Sequence, residues 1–116
     1  MMIQTQKWNR HVRKLIMMRH GTATVQLSMY EDEFGPHDVT AEIYALCVNE
    51  EVRKQGYATA LMDKAEEIAR KNGHKAVYLY WSQLESPRWV LDWYYRRGYE
   101  AVGFSKHKIE LNKKLV

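Results

Sequence analysis

A basic turn between a predicted strand and a predicted helix carries residues suited to binding an anion. The turn contains Arg53, Lys54, Gly56 and, slightly later, Thr59. A helix start exposes unpaired backbone N–H groups and a partial positive charge, and both favour a negatively charged ligand. Gly56 lets a ligand come close to the backbone because it has no Cβ. The spacing therefore indicates a site for a phosphate or pyrophosphate group.

The turn is positioned by strands that the hydrophobic pattern predicts before it. Residues 12–18 and 22–30 are predicted to form a β-hairpin, since apolar side chains alternate along the second stretch and a turn signal separates the two. Residues 31–38, EDEFGPHD, are predicted to be a loop. Residues 39–48 are mostly apolar and branched, which is typical of a buried strand.

After the turn the hydrophobic period changes to that of a helix. Leu61, Ala65, Ile68 and Ala69 recur at the spacing of one helix face, and Asn72-Gly73 is a helix end. The later elements are a strand over 75–81, a helix that begins with Ser86 as cap and Pro87 at its first position and ends at Gly98, and strands over 99–104 and 108–115. This order predicts an α/β (α+β) fold, a mixed, mostly antiparallel sheet of about six strands with two main helices.

Length and composition narrow the class of protein. The 116 residues predict one domain over 1–116. A single cysteine and scattered histidines supply neither an internal disulfide nor a metal-ligand spacing. No apolar run is long enough for a bilayer, and the start lacks the features of a secretory signal, so we expect a cytoplasmic, metal-free protein. The net charge of +4 suits an anionic ligand, either nucleic acid or a phosphorylated small molecule, but charge alone favours a solvated surface with a modest positive bias. The basic residues lack a recognition motif, which argues against nucleic acid.

Two segments together resemble one enzyme family. The turn reads R-x-x-G-x-A over 53–58, not a P-loop or a dinucleotide-binding motif. EIYALCVNEEVRKQGYATALMDKAEEIARKNG resembles the fourth strand, pyrophosphate loop and third helix of the GNAT superfamily of N-acyltransferases, whose signature is Q/R-x-x-G-x-G/A. WVLDWYYRRGYEAVGF resembles its later segment, so the resemblance covers residues 39–104. It implies a GNAT-like fold and transfer of an acyl group, acetyl by default, from acyl-CoA to a primary amine by direct attack in a ternary complex.

The resemblance also implies which residues bind acetyl-CoA, the co-substrate. The pyrophosphate is held by backbone N–H groups of the loop, which here are those of Arg53, Lys54, Gln55, Gly56, Tyr57 and Ala58, with Thr59 adjacent. The pantetheine arm pairs with the end of the preceding strand, which carries a bulge and splays from the next strand. The matching positions are Leu46, Cys47 and Val48.

The implied catalytic residues lie on either side of this segment. Tyr94, four residues before Gly98, matches the tyrosine that protonates the departing thiolate, and a phenol with a pKa of about 10 can do so; the alternative is that it only packs on the sheet. A base must also keep the amine neutral. Glu42 is the first candidate and His37 the second. The alternative for Glu42 is a strand-edge acid without a catalytic role, and the alternative for His37 is an exposed loop histidine. Pro87 stands where many members have an asparagine.

The acceptor side is less complete than in typical members. Only about a dozen residues precede the first predicted strand, too few for the two helices that cover the acceptor site in the family. We therefore expect that site to be open, or closed by a second subunit in a homodimer, with either a small molecule or a protein as the amine acceptor. The alternative function is a non-catalytic acyl-CoA-binding module with a regulatory or structural role.

Overall fold

The computed structural model of the chain describes residues 2–6, 12–21, 23–34, 39–47 and 56–116. Within these residues seven strands and two helices follow one another. Their bounds are β1 Met2–Gln6, β2 Val12–His20, β3 Ala23–Phe34, β4 Val39–Cys47, α1 Tyr57–Lys71, β5 Ala76–Ser82, α2 Arg88–Arg96, β6 Glu100–Phe104 and β7 Lys108–Lys114.

The strands form one sheet in the order β1-β2-β3-β4-β5-β7-β6. Every neighbouring pair is antiparallel except β4 and β5, which are parallel. A parallel pair needs a crossover between its strands, and α1 supplies it. The predicted class, a mixed and mostly antiparallel sheet with two main helices, is therefore confirmed.

The structure differs from the predicted elements in three places. A seventh strand, β1, pairs with β2 from Met2↔Arg19 to Gln6↔Leu15; its sequence, MIQTQ, has no apolar alternation that would have predicted it. Strand β3 continues to Phe34, into part of the predicted 31–38 loop. Ser86 is not the cap of α2: Pro87 is the N-cap, without a side-chain hydrogen bond, and the helix begins one residue later than predicted.

Both helices pack on one face of the sheet. Helix α1 buries the predicted Leu61, Ala65 and Ala69, and α2 buries Leu91 and Tyr94. All five belong to one core cluster with the inward side chains of the strands. The cross-strand pairs Leu27↔Ile43 and Leu79↔Leu111 lie in this cluster, so alternate residues of each strand face the helices. The remaining side chains project from the opposite face.

A buried carboxylate joins the two helices to the sheet. Glu66 of α1 accepts hydrogen bonds at Oε2 from Arg97 Nη2 (3.1 Å) and Tyr99 Oη (2.8 Å), and at Oε1 from Lys113 Nζ (2.7 Å). Arg97 follows directly after α2, and its Nη2 also donates to Asp63 at 2.7 Å. Because donors from the α2–β6 connection and from β7 meet on Glu66, this group fixes the end of α2 against α1.

Candidate active site

Beyond Glu42, the C-terminal end of β4 makes no backbone pair with β5 within the described residues. Within the described residues β4 and β5 pair at one position, Glu42 with Tyr78, whereas β5 and β7 pair at seven. Strand β4 is also bulged near its end, since its register against β3 passes from Gln26↔Tyr44 to Thr24↔Cys47 and so includes one extra residue. The expected bulge is confirmed. The single pair between β4 and β5 is consistent with the expected separation of the strands.

The start of α1 leaves backbone N–H groups without partners inside the helix. Gly56 is the N-cap in the left-handed conformation, with φ 75° and ψ 13°, and its carbonyl accepts the first helical hydrogen bond from Ala60 N at 3.0 Å. The N–H groups of Tyr57, Ala58 and Thr59 lie in the first turn and have no partner inside the helix. No protein atom of the described part lies within 4 Å of the position that a Cβ of Gly56 would take. The backbone conformation therefore favours glycine here, and the described part of the chain leaves space beside it.

Several predicted site residues fall outside the described residues. They are His37, Val48, Arg53, Lys54 and Gln55. Leu46 and Cys47 lie in β4, where the structure describes their backbone but not their side chains. The roles implied for these seven residues stay predictions.

Tyr94 is a buried neutral phenol. Its side chain is 7% exposed, and its ring lies near those of Trp93 and Tyr99, with centroid distances of 5.5 and 5.8 Å. Burial raises the pKa of Tyr94 to about 12. No hydrogen bond of its hydroxyl is seen within the described part of the chain. The neighbouring Tyr95 is 38% exposed.

Glu42 is a half-buried carboxyl on the face opposite the helices. It shares a hydrogen bond with the Tyr30 hydroxyl and stands across from Ser28 on β3. Burial raises the pKa of Glu42 above its ordinary value, and the bond from Tyr30 partly offsets this. Tyr94 and Glu42 thus project toward opposite faces of the sheet, so the structure does not bring the two predicted catalytic groups together on one surface.

Tyrosines surround Glu42 on its face of the sheet, and sequence reasoning did not single them out. The Tyr78 hydroxyl donates to Glu110 Oε1 at 2.8 Å, and this bond together with burial raises the pKa of Tyr78. Lys108 Nζ lies 4.2 Å from the centre of the Tyr80 ring. The signal was available: Tyr78 and Tyr80 alternate with apolar residues in β5 and so must lie on the other face.

Two kinds of feature are absent from the described residues. No group of three or more histidine, cysteine, aspartate or glutamate residues could hold a metal ion there. No helix in the same residues is long and apolar enough to cross a membrane.

Comparison with known proteins connects this geometry to one family. A family model, Acetyltransferase (GNAT) family, matches residues 21–99. An uncharacterized N-acetyltransferase of Methanocaldococcus jannaschii is 33% identical over 75 residues, which are 65% of this chain and 32% of that protein. The chain therefore spans about a third of the length of that relative.

Solved structures share the fold at low sequence identity. A GNAT-family acetyltransferase from Desulfovibrio desulfuricans superposes with a TM-score of 0.70 at 15% identity, covering 89% of this chain and 69% of that one. An acetyltransferase from Bacillus cereus gives 0.66 at 21%, covering 86% and 71%. An N-acetyltransferase from Thermoplasma acidophilum, in complex with coenzyme A, gives 0.67 at 18%, covering 86% and 59%.

Proposed function

Because this chain belongs to the GNAT acetyltransferase family, we propose that it transfers an acyl group, acetyl by default, from acyl-CoA to a primary amine. The observation that carries the proposal is the bulged end of β4, which makes no pair with β5 beyond Glu42 in the described residues, followed in the chain by a helix that starts at left-handed Gly56. An extended amide-containing arm can pair with such a strand edge. A pyrophosphate can accept hydrogen bonds from the helix start.

The donor lies across both of these features. The pantetheine arm pairs with the backbone of Leu46, Cys47 and Val48. The pyrophosphate takes the N–H groups from Arg53 through Ala58, with the Thr59 hydroxyl adjacent. The thioester then lies in the gap between β4 and β5, where both faces of the sheet can reach it. Tyr94 approaches from the helix face and Glu42 from the other.

In the reaction, the amine nitrogen attacks the thioester carbonyl carbon and the carbon–sulfur bond breaks. Glu42, directly or through a water, takes the proton that the amine loses. Tyr94 gives its proton to the departing thiolate, and solvent restores both groups afterwards. A phenol whose pKa is raised to about 12 stays protonated at neutral pH and is therefore available as the acid. A carboxyl with a raised pKa is a stronger base than an ordinary one.

The acceptor is a primary amine, cationic in solution, that attacks in its neutral form; it is either a small molecule or a protein side chain. The carboxyl of Glu42 and the tyrosines beside it suit a positively charged group. We further propose that residues 1–116 form a single domain that works in the cytoplasm, as a monomer with an open acceptor site or as a homodimer that closes it.

The deep burial of Tyr94 favours a second candidate function. A phenol only 7% exposed has limited access to a thiolate. Pro87 also occupies the place of a family asparagine, and its carbonyl accepts a hydrogen bond from Trp81 Nε1 at 3.1 Å. The second candidate is an acyl-CoA-binding module that does not catalyse transfer and has a regulatory or structural role.

One experiment separates the two candidates. Titration calorimetry measures acetyl-CoA binding to the purified chain, and a thiol reagent then measures CoA release with a panel of amines. Binding followed by amine-dependent release supports the enzyme. Binding without release on any amine supports the module, and no binding contradicts both.

A further inference from the structure

The turn between β2 and β3 is joined through the sheet to the end of β4. The hairpin closes at the pair His20↔Ala23, and its turn contains Gly21 with φ 62°. One residue into β3, Thr24 pairs with Cys47, the last residue of β4. The turn is therefore held next to the strand end that the pantetheine arm would use.

The same turn touches the first residue of α1. A Cβ on Gly21 would lie 2.7 Å from Cε2 and 3.0 Å from Cδ2 of the Tyr57 ring, so only glycine leaves room for this ring. The Tyr57 ring also meets the His20 imidazole edge-on, with ring centroids 4.6 Å apart and planes at 70°. The start of α1 therefore packs against the turn between β2 and β3 through the Tyr57 ring.

Through these two contacts, the turn between β2 and β3 supports both parts of the proposed donor site, the end of β4 and the start of α1. The strand end is tied to the hairpin by the pair Thr24↔Cys47, and the helix start is tied to it by Tyr57 on Gly21. The pantetheine arm and the pyrophosphate of CoA are covalently linked, so the surfaces that bind them must stand at a matched separation. A displacement of about 1 Å in such a site can cost about a hundredfold in rate.

We propose that Tyr57 is a positioning residue for the donor: by resting on Gly21 and His20 it sets the separation between the end of β4 and the start of α1. The inference rests on the proposed CoA-dependent function. Its contacts are made by ring carbons, so the ring is required and the hydroxyl is not. Gly21 is required for its left-handed conformation and for the space that it leaves to Tyr57.

The test compares two donors in steady-state kinetics. Acetyl-CoA uses the strand edge and the helix start, whereas acetyl-pantetheine lacks the pyrophosphate and uses the strand edge alone. Tyr57→Ala should raise KM for acetyl-CoA by about tenfold with little change in kcat, and should change kcat/KM for acetyl-pantetheine by less than about twofold. Tyr57→Phe keeps the ring, so its KM for acetyl-CoA should rise much less than that of Tyr57→Ala.

A second variant and a control complete the design. Gly21→Ala adds a methyl group that displaces the Tyr57 ring. It should likewise raise KM for acetyl-CoA and leave kcat/KM for acetyl-pantetheine nearly unchanged. Phe104→Ala removes an exposed aromatic side chain from strand β6 at the far edge of the sheet and should affect neither donor. Equal losses with both donors, or unchanged KM for acetyl-CoA in both Tyr57→Ala and Gly21→Ala, would overturn the inference. Failure of the wild type to bind acetyl-CoA would instead overturn the proposed function on which it rests.

Discussion

The rings of Tyr94 and Tyr99 lie 5.8 Å apart in the core, but their hydroxyl groups differ in surroundings. The Tyr99 hydroxyl donates to Glu66 Oε2 at 2.8 Å. The Tyr94 hydroxyl has no hydrogen bond within the described residues, and burial alone accounts for its raised pKa. Tyr99 therefore contributes to a structural network, whereas the Tyr94 hydroxyl is not part of it.

Tyr94→Phe should separate catalysis from stability. Removing the hydroxyl leaves no buried partner without a bond, so the free energy of unfolding should change by less than about 1 kcal/mol. If Tyr94 protonates the thiolate, kcat should fall by about a hundredfold while KM for acetyl-CoA stays constant. Thermal denaturation and CoA-release kinetics measure both quantities. Tyr95→Phe, at an exposed neighbour, is the control and should change neither; an unchanged kcat in Tyr94→Phe would remove Tyr94 as the acid.

Glu42→Gln should change the pH dependence of the reaction. The wild-type rate should fall as the pH is lowered through the raised pKa of Glu42, since only the carboxylate accepts a proton. In the glutamine variant this acidic limb should disappear, and the remaining rate should be lower by about a hundredfold. Rates measured between pH 4 and 9 at saturating substrates test this. The same acidic limb in the variant would assign the titration to another group.

Glu42→Gln should lower the reaction rate but raise the stability of the fold at neutral pH. Burial places the folded-state pKa of Glu42 above the unfolded value, so its contribution to stability is full below the unfolded pKa and is lost as the pH rises through the folded pKa. Glu42→Gln should therefore raise Tm at pH 7, and the gain should shrink below about pH 4, near the ordinary carboxyl pKa. Glu100→Gln, at an exposed acid on β6, is the control for the loss of one carboxylate charge.

Glu66→Gln should destabilise the fold strongly. The charged groups of Arg97 and Lys113 would lose their shared carboxylate in a site where Glu66 is only 9% exposed. Breaking a buried ion pair in this way costs about 3 kcal/mol, which for a domain of this size lowers Tm by about 10 °C. Thermal denaturation measures the change. Glu67→Gln on the same helix breaks only exposed pairs with Lys64 and Lys71 and should leave Tm nearly unchanged; equal effects of the two substitutions would contradict the structural role of Glu66.

Gly56→Ala and Gly73→Ala form a matched pair at the two ends of the α1 region. Both glycines have left-handed backbone conformations, with φ 75° and 89°, and neither has a described protein atom within 4 Å of the position of an added Cβ. Each substitution should therefore lower the free energy of unfolding by a similar amount, about 1 kcal/mol. Acetyl-CoA binding should weaken only in Gly56→Ala, because its methyl group would enter the space beside the first-turn N–H groups.

Denaturation and calorimetry of the two glycine variants measure both effects. Similar weakening of binding in both would mean that the affinity follows stability and does not depend on the helix start. Unchanged binding in both would place the pyrophosphate elsewhere.

Much of the fold could be predicted because its signals are local. The alternation in β3, the stripe of Leu61, Ala65 and Ala69, and the glycine before α1 each depend on the backbone period or on one φ value. The position of Tyr94 on the buried side of α2 follows from the same helical period. The residue order therefore indicated the fold class and the glycine turn before α1, and the family resemblance added Tyr94 as the candidate acid.

Contacts between elements were decided by the tertiary structure. Strand β1 has no pattern of its own and is a strand because β2 offers it a partner. The donors on Glu66 are 31 to 47 residues away from it in sequence. The contact between Tyr57 and Gly21 forms only when the strands have assembled in their order in the sheet. The same holds for the loss of pairing between β4 and β5. Periodicity determines which face of an element a side chain occupies, but which faces meet depends on how the strands pair and where the helices cross them.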